Sequence, residues 1–196
     1  MGMPFFHRLV RRLRRLRDEE SGVVAVETMM VTPMLIVGLF MSYEFFDLYQ
    51  QQSLREKATY TVADALSRET AIVDDTYIDN LKTTFDMMVR ARGETQLRVS
   101  VVRFHAAAGG SHELRWSEVR GTGPMQALTQ PDLATASEVF PMMINGQDMI
   151  LVESEGVHVP TLARAIIPDQ QLDTRMFMTL RFASQLCFEG VCTPVS

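Results

Sequence analysis

The chain has 196 residues, of which 46% are hydrophobic, which is enough for one medium-sized domain with a core and an additional segment. It contains no internal repeat and no low-complexity tract, which excludes a repeat architecture. Residues 1–22 contain six arginines and three acids, a net charge of +3. Because the whole chain has a net charge of −5, residues 23–196 carry −8, and the sequence predicts a basic segment before an acidic body.

The basic segment is predicted to be a cytoplasmic leader, residues 1–22. Its arginines are Arg8, Arg11, Arg12, Arg14, Arg15 and Arg17. Arginines that precede a membrane span stay on the cytoplasmic side by the positive-inside rule. The stretch FFHRLVRRLRRLR also has helical apolar spacing and could lie on an anionic membrane surface. Nucleic acid is not predicted as a partner, because no aromatic platform or recognisable motif accompanies the arginines.

The next segment, residues 23–43, is an apolar run in which Glu27 is the only formal charge. A helix of this length, at about 1.5 Å per residue, reaches roughly 30 Å, the thickness of the hydrocarbon core of a bilayer. A cleaved secretory signal is the competing interpretation, but it has a shorter apolar region of about 7–15 residues and ends at a small-residue site. The run is therefore predicted to be a single transmembrane helix with the acidic domain outside the cytoplasm.

Glu27 is unusual because a charged side chain in hydrocarbon costs about 2.5–3.5 kcal/mol on insertion scales. Taken alone, it could be an interfacial acid that reaches water from the end of the span. However, Gly22 directly precedes the run, and Glu27 is the fifth residue after it. This spacing resembles the type IV prepilin processing motif, and the stretch GVVAVETMMVTPMLIVGLFMSYEF resembles the TadE-like pseudopilins of tight-adherence, Flp-type pili. The matching positions are Gly22, Ala25, Glu27, Pro33, Gly38 and Glu44.

The resemblance implies a processing step and an assembly role. A prepilin peptidase would cut between Gly22 and Val23 and release the leader. Glu27 would then pair with the N-terminal ammonium of a neighbouring subunit, which is favourable where both charges are poorly solvated. The implied partners are membrane lipid, the prepilin peptidase, other pilins or pseudopilins and the pilus assembly machinery. The implied location is the bacterial inner membrane, with the C-terminal domain in the periplasm, or the extracellular pilus.

Pro33 and Gly38 both lie inside the apolar run. Proline costs about 3 kcal/mol in a water-soluble helix, but membrane helices tolerate it, so a kink is expected at Pro33. The face around Pro33 and Gly38 could then allow close approach of a second helix. A kink without an assembly role is an equally good interpretation.

Beyond the membrane the sequence predicts two helices. Residues 44–72 are predicted to form an amphipathic helix, because apolar residues recur every four positions at Leu54, Ala58, Val62 and Leu66. Residues 73–196 are predicted to form an extracytoplasmic α+β head. Its own helix is expected within residues 74–94, capped by Asp75 or Thr76, ending before Gly93, with one apolar face that comprises Ile78, Leu81, Phe85 and Met88.

The remainder of the head is predicted to contain about four antiparallel strands. The alternating segments are QLRVSVVRF, whose pattern shifts at Val102, HELRWSEV, DMILVESEGVHV after an Asn145–Gly146 turn, and RMFMTLRFAS with Met176, Met178, Leu180 and Phe182 on one side. Residues 121–147 are predicted to be an irregular surface excursion with a short helix near LATASEVF. The predicted fold class is thus α+β: an N-terminal transmembrane helix that continues into an amphipathic helix, packed on a small antiparallel sheet as in pilin heads.

Chemistry-bearing motifs are scarce. Cys187 and Cys192, the two cysteines of the chain, are predicted to form a disulfide that holds the chain end; a free pair is the alternative. Zinc needs about four ligands and the four histidines are scattered, so no metal is predicted. No hydrolase, metalloprotease or phosphate-binding motif is found, and neither a cofactor nor enzymatic activity is expected. The predicted function is a TadE-like minor pilin, and the alternative is an uncleaved single-pass membrane protein with an outer assembly, sensing or binding domain.

Overall fold

The structure is a computed structural model that describes residues 21–107, 110–136, 140–162, 164 and 167–191. The chain divides into two compact units, residues 1–45 and residues 46–196, and we call the second unit the head. Residues 1–20 of the predicted leader, which include its six arginines, lie outside the described residues, as does Cys192.

The first helix, α1, comprises Ser21–Ser67. From Gly22 to Tyr43 every side chain is exposed, although almost all of them are apolar. Helix α1 is long and apolar enough to cross a membrane, as the composition of residues 23–43 predicts. Its end at Ser67 is five residues earlier than the end predicted at residue 72. There the main chain turns, and the Ser67 carbonyl accepts a hydrogen bond from the Arg181 amide at 2.9 Å.

Within the head, one face of α1 is buried. Ala58, Val62 and Leu66 have at most 1% of their surface exposed, as their spacing predicts, whereas Leu54 is only half-buried. Thr59 also lies on this face, and its hydroxyl is 3.0 Å from that of Ser154 on the sheet. The amphipathic part of α1 therefore contributes both apolar and polar contacts to the head.

The second helix, α2, comprises Asp75–Val89. Asp74 is the N-cap, because its carboxylate accepts a hydrogen bond from the Tyr77 amide at 2.7 Å, so the prediction of Asp75 or Thr76 was wrong by one or two residues. At the other end Arg90 adopts the left-handed conformation, with φ of 50°, and ends the helix three residues before Gly93. The buried face consists of Ile78, Leu81, Phe85 and Val89.

Four strands form one antiparallel sheet, and together with the helices this sheet confirms the predicted α+β class. They are β1 (Thr95–His105), β2 (Ser111–Gly121), β3 (Asp148–His158) and β4 (Gln170–Thr179), with a short helix, α3 (Gln130–Ala136), between β2 and β3. The strand order is β2-β1-β3-β4. The register between β1 and β2 shifts between Val101 and Val102, where the apolar pattern also shifts.

The inner face of the sheet packs against α1 and α2. Its buried side chains come from three strands: Leu97, Val99, Val101, Trp116, Ile150 and Val152. Met176, Met178 and Leu180 from β4 and the residue after it pack against the same core. Phe182 does not, because β4 ends at Thr179 and leaves Phe182 70% exposed, so its predicted place on this face was wrong.

The outer face of the sheet is covered by the connection between β2 and β3. Leu133 and Met143 of this connection are buried, with 1% and 8% of their surface exposed. Gln96 fixes it to β1, because its side-chain amide bonds the carbonyl and the amide of Met125 at 2.8 and 2.7 Å. The segment is mostly exposed and, apart from α3, irregular, as the sequence predicts, but its bonds to side chains of the sheet were not predicted. Its helix begins at Gln130, three residues before the predicted stretch LATASEVF, and residues 137–139 of that stretch lie outside the described residues.

Candidate functional site

The predicted cleavage site lies on the exposed apolar part of α1. Val23 is 65% exposed, and a side chain placed on Gly22 would meet no atom within 4 Å. Both residues are helical, since α1 begins at Ser21. The peptide bond between them is thus unshielded by side chains of the described residues but is held in a helical backbone.

Glu27 is the one charged residue in this part of the helix, and it makes no hydrogen bond or ion pair with any described residue. Two hydroxyls there bond to their own helix: the Thr28 hydroxyl donates to the Val24 carbonyl at 2.7 Å, and the Ser42 hydroxyl to the Gly38 carbonyl at 2.8 Å. Hydroxyls satisfied in this way are tolerated in hydrocarbon, whereas an unpaired carboxylate is costly. Glu27 is therefore the charged group of this segment, and it needs a partner from elsewhere.

Helical geometry separates the predicted assembly residues into two faces. At 100° per residue, positions eleven apart differ by only about 20°, so Glu27 shares a face with Gly38, and Gly22 shares one with Pro33. Pro33 and Gly38 are about 140° apart, so they do not form the single close-approach face that the sequence suggested. Gly38 is open, because a side chain placed there would meet nothing within 4 Å. A helix that approached Gly38 closely would meet the face that carries Glu27.

Arg55 is a buried cation on α1 that sequence reasoning missed. Its side chain is enclosed, with 1% of the residue exposed, and its Nε and Nη1 atoms have no hydrogen-bond partner in the described residues. Burial lowers the pKa of the guanidinium, although nearby Asp173, Asp86 and Glu155 oppose the shift. In the stretch SLREK the residue resembles any polar position of an amphipathic helix, and no feature of the sequence distinguishes it.

Gly156 provides the space for this guanidinium. A Cβ atom added to Gly156 would lie 2.5 Å from Nη2, 2.6 Å from Nη1 and 2.9 Å from Cζ of Arg55. The plane of the guanidinium thus occupies the volume that any side chain at this strand position would need. Arg55 and Gly156 together fix where α1 lies on the sheet.

Cys187 lies in a segment that is tied to the core by its main chain. It is disulfide-bonded, and its carbonyl accepts a hydrogen bond from the Val73 amide at 2.9 Å. The neighbouring Leu186 carbonyl accepts one from the indole Nε1 of Trp116 at 2.8 Å. The predicted pairing with Cys192 stays a prediction, because Cys192 lies outside the described residues.

Comparison with known proteins gives no match: no family model, no curated protein and no solved structure is similar to this chain. The resemblance to TadE-like pseudopilins therefore depends on the residues around the apolar run, and chiefly on Gly22 and Glu27.

Proposed function

We propose that this protein is a TadE-like minor pilin or pseudopilin that is cut after Gly22 by a prepilin peptidase and takes part in the assembly of a tight-adherence pilus used in surface attachment. The observation that carries the proposal is Glu27, a lone charge on an exposed apolar helix without a partner in the described residues. Its position, five residues after Gly22, is what a partner created by cleavage would require.

The physical argument concerns two charges that are both poorly solvated in lipid. Cleavage after Gly22 creates an ammonium at Val23, only four residues before Glu27. Pairing between the ammonium of one subunit and the carboxylate of its neighbour requires an axial offset of about 6 Å, the rise of four helical residues. In a medium of low dielectric constant such a pair attracts far more strongly than in water. Glu27 would thereby set the stagger between adjacent subunits.

The proposed cellular location of the protein depends on the leader, the apolar run and the acidic head. The arginine-rich leader stays in the cytoplasm, residues 23–43 cross the inner membrane, and the acidic head lies in the periplasm before assembly. The proposed partners are membrane lipid, the prepilin peptidase, other pilins or pseudopilins and the assembly machinery.

A second candidate is an uncleaved single-pass membrane protein whose head serves assembly, sensing or binding. One observation favours it: α1 begins at Ser21, so the bond after Gly22 lies in a helical backbone, which peptidases cleave poorly until it unwinds. In this alternative Glu27 is an interfacial acid that reaches the headgroup layer.

The deciding measurement is the N-terminal residue of the protein purified from membranes of cells with and without a prepilin peptidase. Val23 at the N-terminus only when the peptidase is present would support the proposal. An intact arginine-rich leader in both strains would contradict it and favour the permanent anchor.

Gly22→Leu provides a matched control variant. Because a side chain at residue 22 meets nothing within 4 Å, this change should leave the fold intact, and any loss of cleavage then reports on recognition by the peptidase. Normal cleavage of Gly22→Leu would show that another bond or another protease is involved.

A further inference from the structure

At one end of the head, side chains of two connections contact Asp47. This residue lies four positions after the last residue of the apolar run. The Asp47 carboxylate accepts a hydrogen bond from Nη1 of Arg92 at 2.9 Å and one from the Thr161 hydroxyl at 3.3 Å. Arg92 also donates to Thr161. We call this region the Asp47 end, and define it as residues 46–49 of α1, the α2–β1 connection 90–94 and the described residues of the β3–β4 connection 159–169.

The position of the Asp47 end follows from chain length alone. Four residues span about 6 Å in a helix and at most about 14 Å when fully extended. The headgroup layer on each side of the hydrocarbon core is about 5–8 Å deep. If residues 23–43 span the bilayer, Asp47 therefore cannot lie far beyond the headgroups, whatever the angle between the span and the head.

The exposed side chains at this end suit such a layer. Phe46 and Tyr49 are each 71% exposed, and Leu162 is 55% exposed. Aromatic side chains concentrate at membrane interfaces, where an apolar ring and a polar neighbourhood are both satisfied. These three side chains would otherwise present apolar surface to water.

The Asp47 end has no net charge, because it contains three arginines and three acids, whereas the head as a whole is acidic. Three arginines are exposed there: Arg90, Arg92 and Arg164. Asp47 is bonded to Arg92, and the remaining exposed acids of this end are Glu94 and Asp169. Arginine guanidinium groups bind phosphate oxygens, and basic side chains near an anionic leaflet are each worth about 1 kcal/mol of attraction.

The opposite end of the sheet serves as a comparison. The Ile144–Gln147 turn lies beside Phe104, because the Gly146 amide donates to the Phe104 carbonyl at 2.7 Å. The other end of β1, at Thr95, pairs with Gly156 next to the Asp47 end. A strand of eleven residues is about 35 Å long, and Ile144, although 75% exposed, is therefore far from Asp47.

We propose that the Asp47 end is a membrane-contact surface that rests in the anionic phospholipid headgroup layer. Phe46, Tyr49 and Leu162 enter the layer, and Arg90 and Arg164 bind lipid phosphates. The inference rests on the membrane span of the proposed function, although not on cleavage after Gly22. The contact holds this end of the head at the headgroup layer before assembly.

The test uses the full chain in phosphatidylglycerol-containing vesicles whose acyl chains are brominated close to the headgroup, for the head variants, or near the chain end, for the span variant, because bromine quenches nearby tryptophan. Leu162→Trp reports on the Asp47 end, Ile144→Trp on the opposite end and Leu35→Trp on the span; the wild type, with its buried Trp116, gives the background. We expect quenching of Leu162→Trp at least twofold greater than that of Ile144→Trp. Equal, weak quenching of these two variants with strong quenching of Leu35→Trp would overturn the inference and leave the span intact.

Two further results complete the test. Absence of quenching at Leu35→Trp would show that residues 23–43 do not span the membrane. This result would contradict both this inference and the proposed function. Changing Arg90 and Arg164 to glutamine in the Leu162→Trp background should reduce quenching severalfold in phosphatidylglycerol vesicles and little in phosphatidylcholine vesicles. An equal effect in both lipids would contradict the role of the arginines.

Discussion

The two parts of helix α1 each carry a charged side chain that lacks a complete set of partners in the described residues. Glu27 lies among exposed apolar side chains and bonds to nothing described. Arg55 lies among buried side chains, and two of its three guanidinium nitrogens lack a hydrogen-bond partner. Helix α1 thus has one exposed charged side chain and one buried charged side chain that lack a full set of partners among the described residues.

The difference lies in what can reach each charge. A partner from another molecule can reach Glu27, since its side chain is exposed. No such partner can reach Arg55, because Gly156 and the sheet enclose it. An exposed charge without a partner favours association with another molecule. A buried charge without a full set of partners favours a unique packing of α1 on the sheet, and it lowers the stability of the head.

The largest effect is expected from Glu27→Ala, which tests the accessible charge. We expect normal cleavage after Gly22 and loss of assembly, because the ammonium of the neighbouring subunit would have no carboxylate partner. N-terminal sequencing measures the cleavage, and cross-linking of subunits in membranes measures assembly. Thr28→Val is a matched control, since the Thr28 hydroxyl bonds only to its own helix. Assembly of Glu27→Ala at the wild-type level would show that the carboxylate has no such role.

The next largest effect concerns the packing of the head. Phe85→Ala empties a fully buried site and should lower the free energy of unfolding of the head by about 3–5 kcal/mol. Leu35→Ala, at a position that is 63% exposed, should change it by less than about 0.5 kcal/mol. Denaturant titration of both variants in detergent measures the difference. Similar losses for the two variants would mean that the apolar part of α1 contributes to the core of the head.

A smaller effect is expected from variants that test the buried charge of Arg55. Gly156→Ala inserts a Cβ against the guanidinium of Arg55 and should cost about 1–3 kcal/mol of unfolding free energy. Arg55→Met alone should be neutral or stabilising, because it removes an unsatisfied buried cation. In the Arg55→Met background the cost of Gly156→Ala should largely disappear, as the flexible methionine can yield. An unchanged cost in that background would assign the loss to the strand and not to Arg55.

The smallest effect is a pH dependence of the head. His112 stacks on Phe140 with ring centroids 4.7 Å apart, and burial lowers the pKa of its imidazole below the ordinary 6.5. The unfolded chain therefore binds a proton more readily than the folded one, so this contribution is complete above about pH 6.5 and is lost as the pH falls through that value and below it. The midpoint of thermal unfolding should fall less between pH 7.5 and roughly pH 5.5 in His112→Phe than in the wild type. Parallel profiles would place the pH dependence at other groups.

Much of the head could be predicted because its apolar residues follow simple periods. The four-residue spacing of Ala58, Val62 and Leu66 identified the buried face of α1, since residues one turn apart point to one side. The shift of the alternating pattern at Val102 coincides with the register shift between β1 and β2, where Arg115 is an extra residue of β2, whereas β1 pairs with β3 without interruption. Local periodicity is sufficient to predict the buried residues of a helix or strand that buries only one of its faces.

The sequence could not predict features that depend on distant partners. The β2–β3 connection contains three prolines and is irregular as predicted, but the bonds from Gln96 to the Met125 backbone and from the Leu128 amide to the Ser117 hydroxyl could not be predicted. Arg55 could not be identified either, since only the absence of a side chain at Gly156, about 100 residues away, allows its burial. The cap at Asp74 was missed because Asp74 and Asp75 are adjacent and equally suitable by type.

The strand order has a consequence for the sequence of events by which the head folds. The hairpins β1–β2 and β3–β4 join neighbouring segments, but the central β1–β3 pair joins Thr95 to Gly156, about 60 residues further along the chain. Loop closure over such a distance is slow compared with hairpin formation. Until β3 pairs with it, the valine-rich edge of β1 is open to pairing with other chains, and open edges promote aggregation. Pairing of residues 148–158 with β1 is therefore the step after which the folding head is protected.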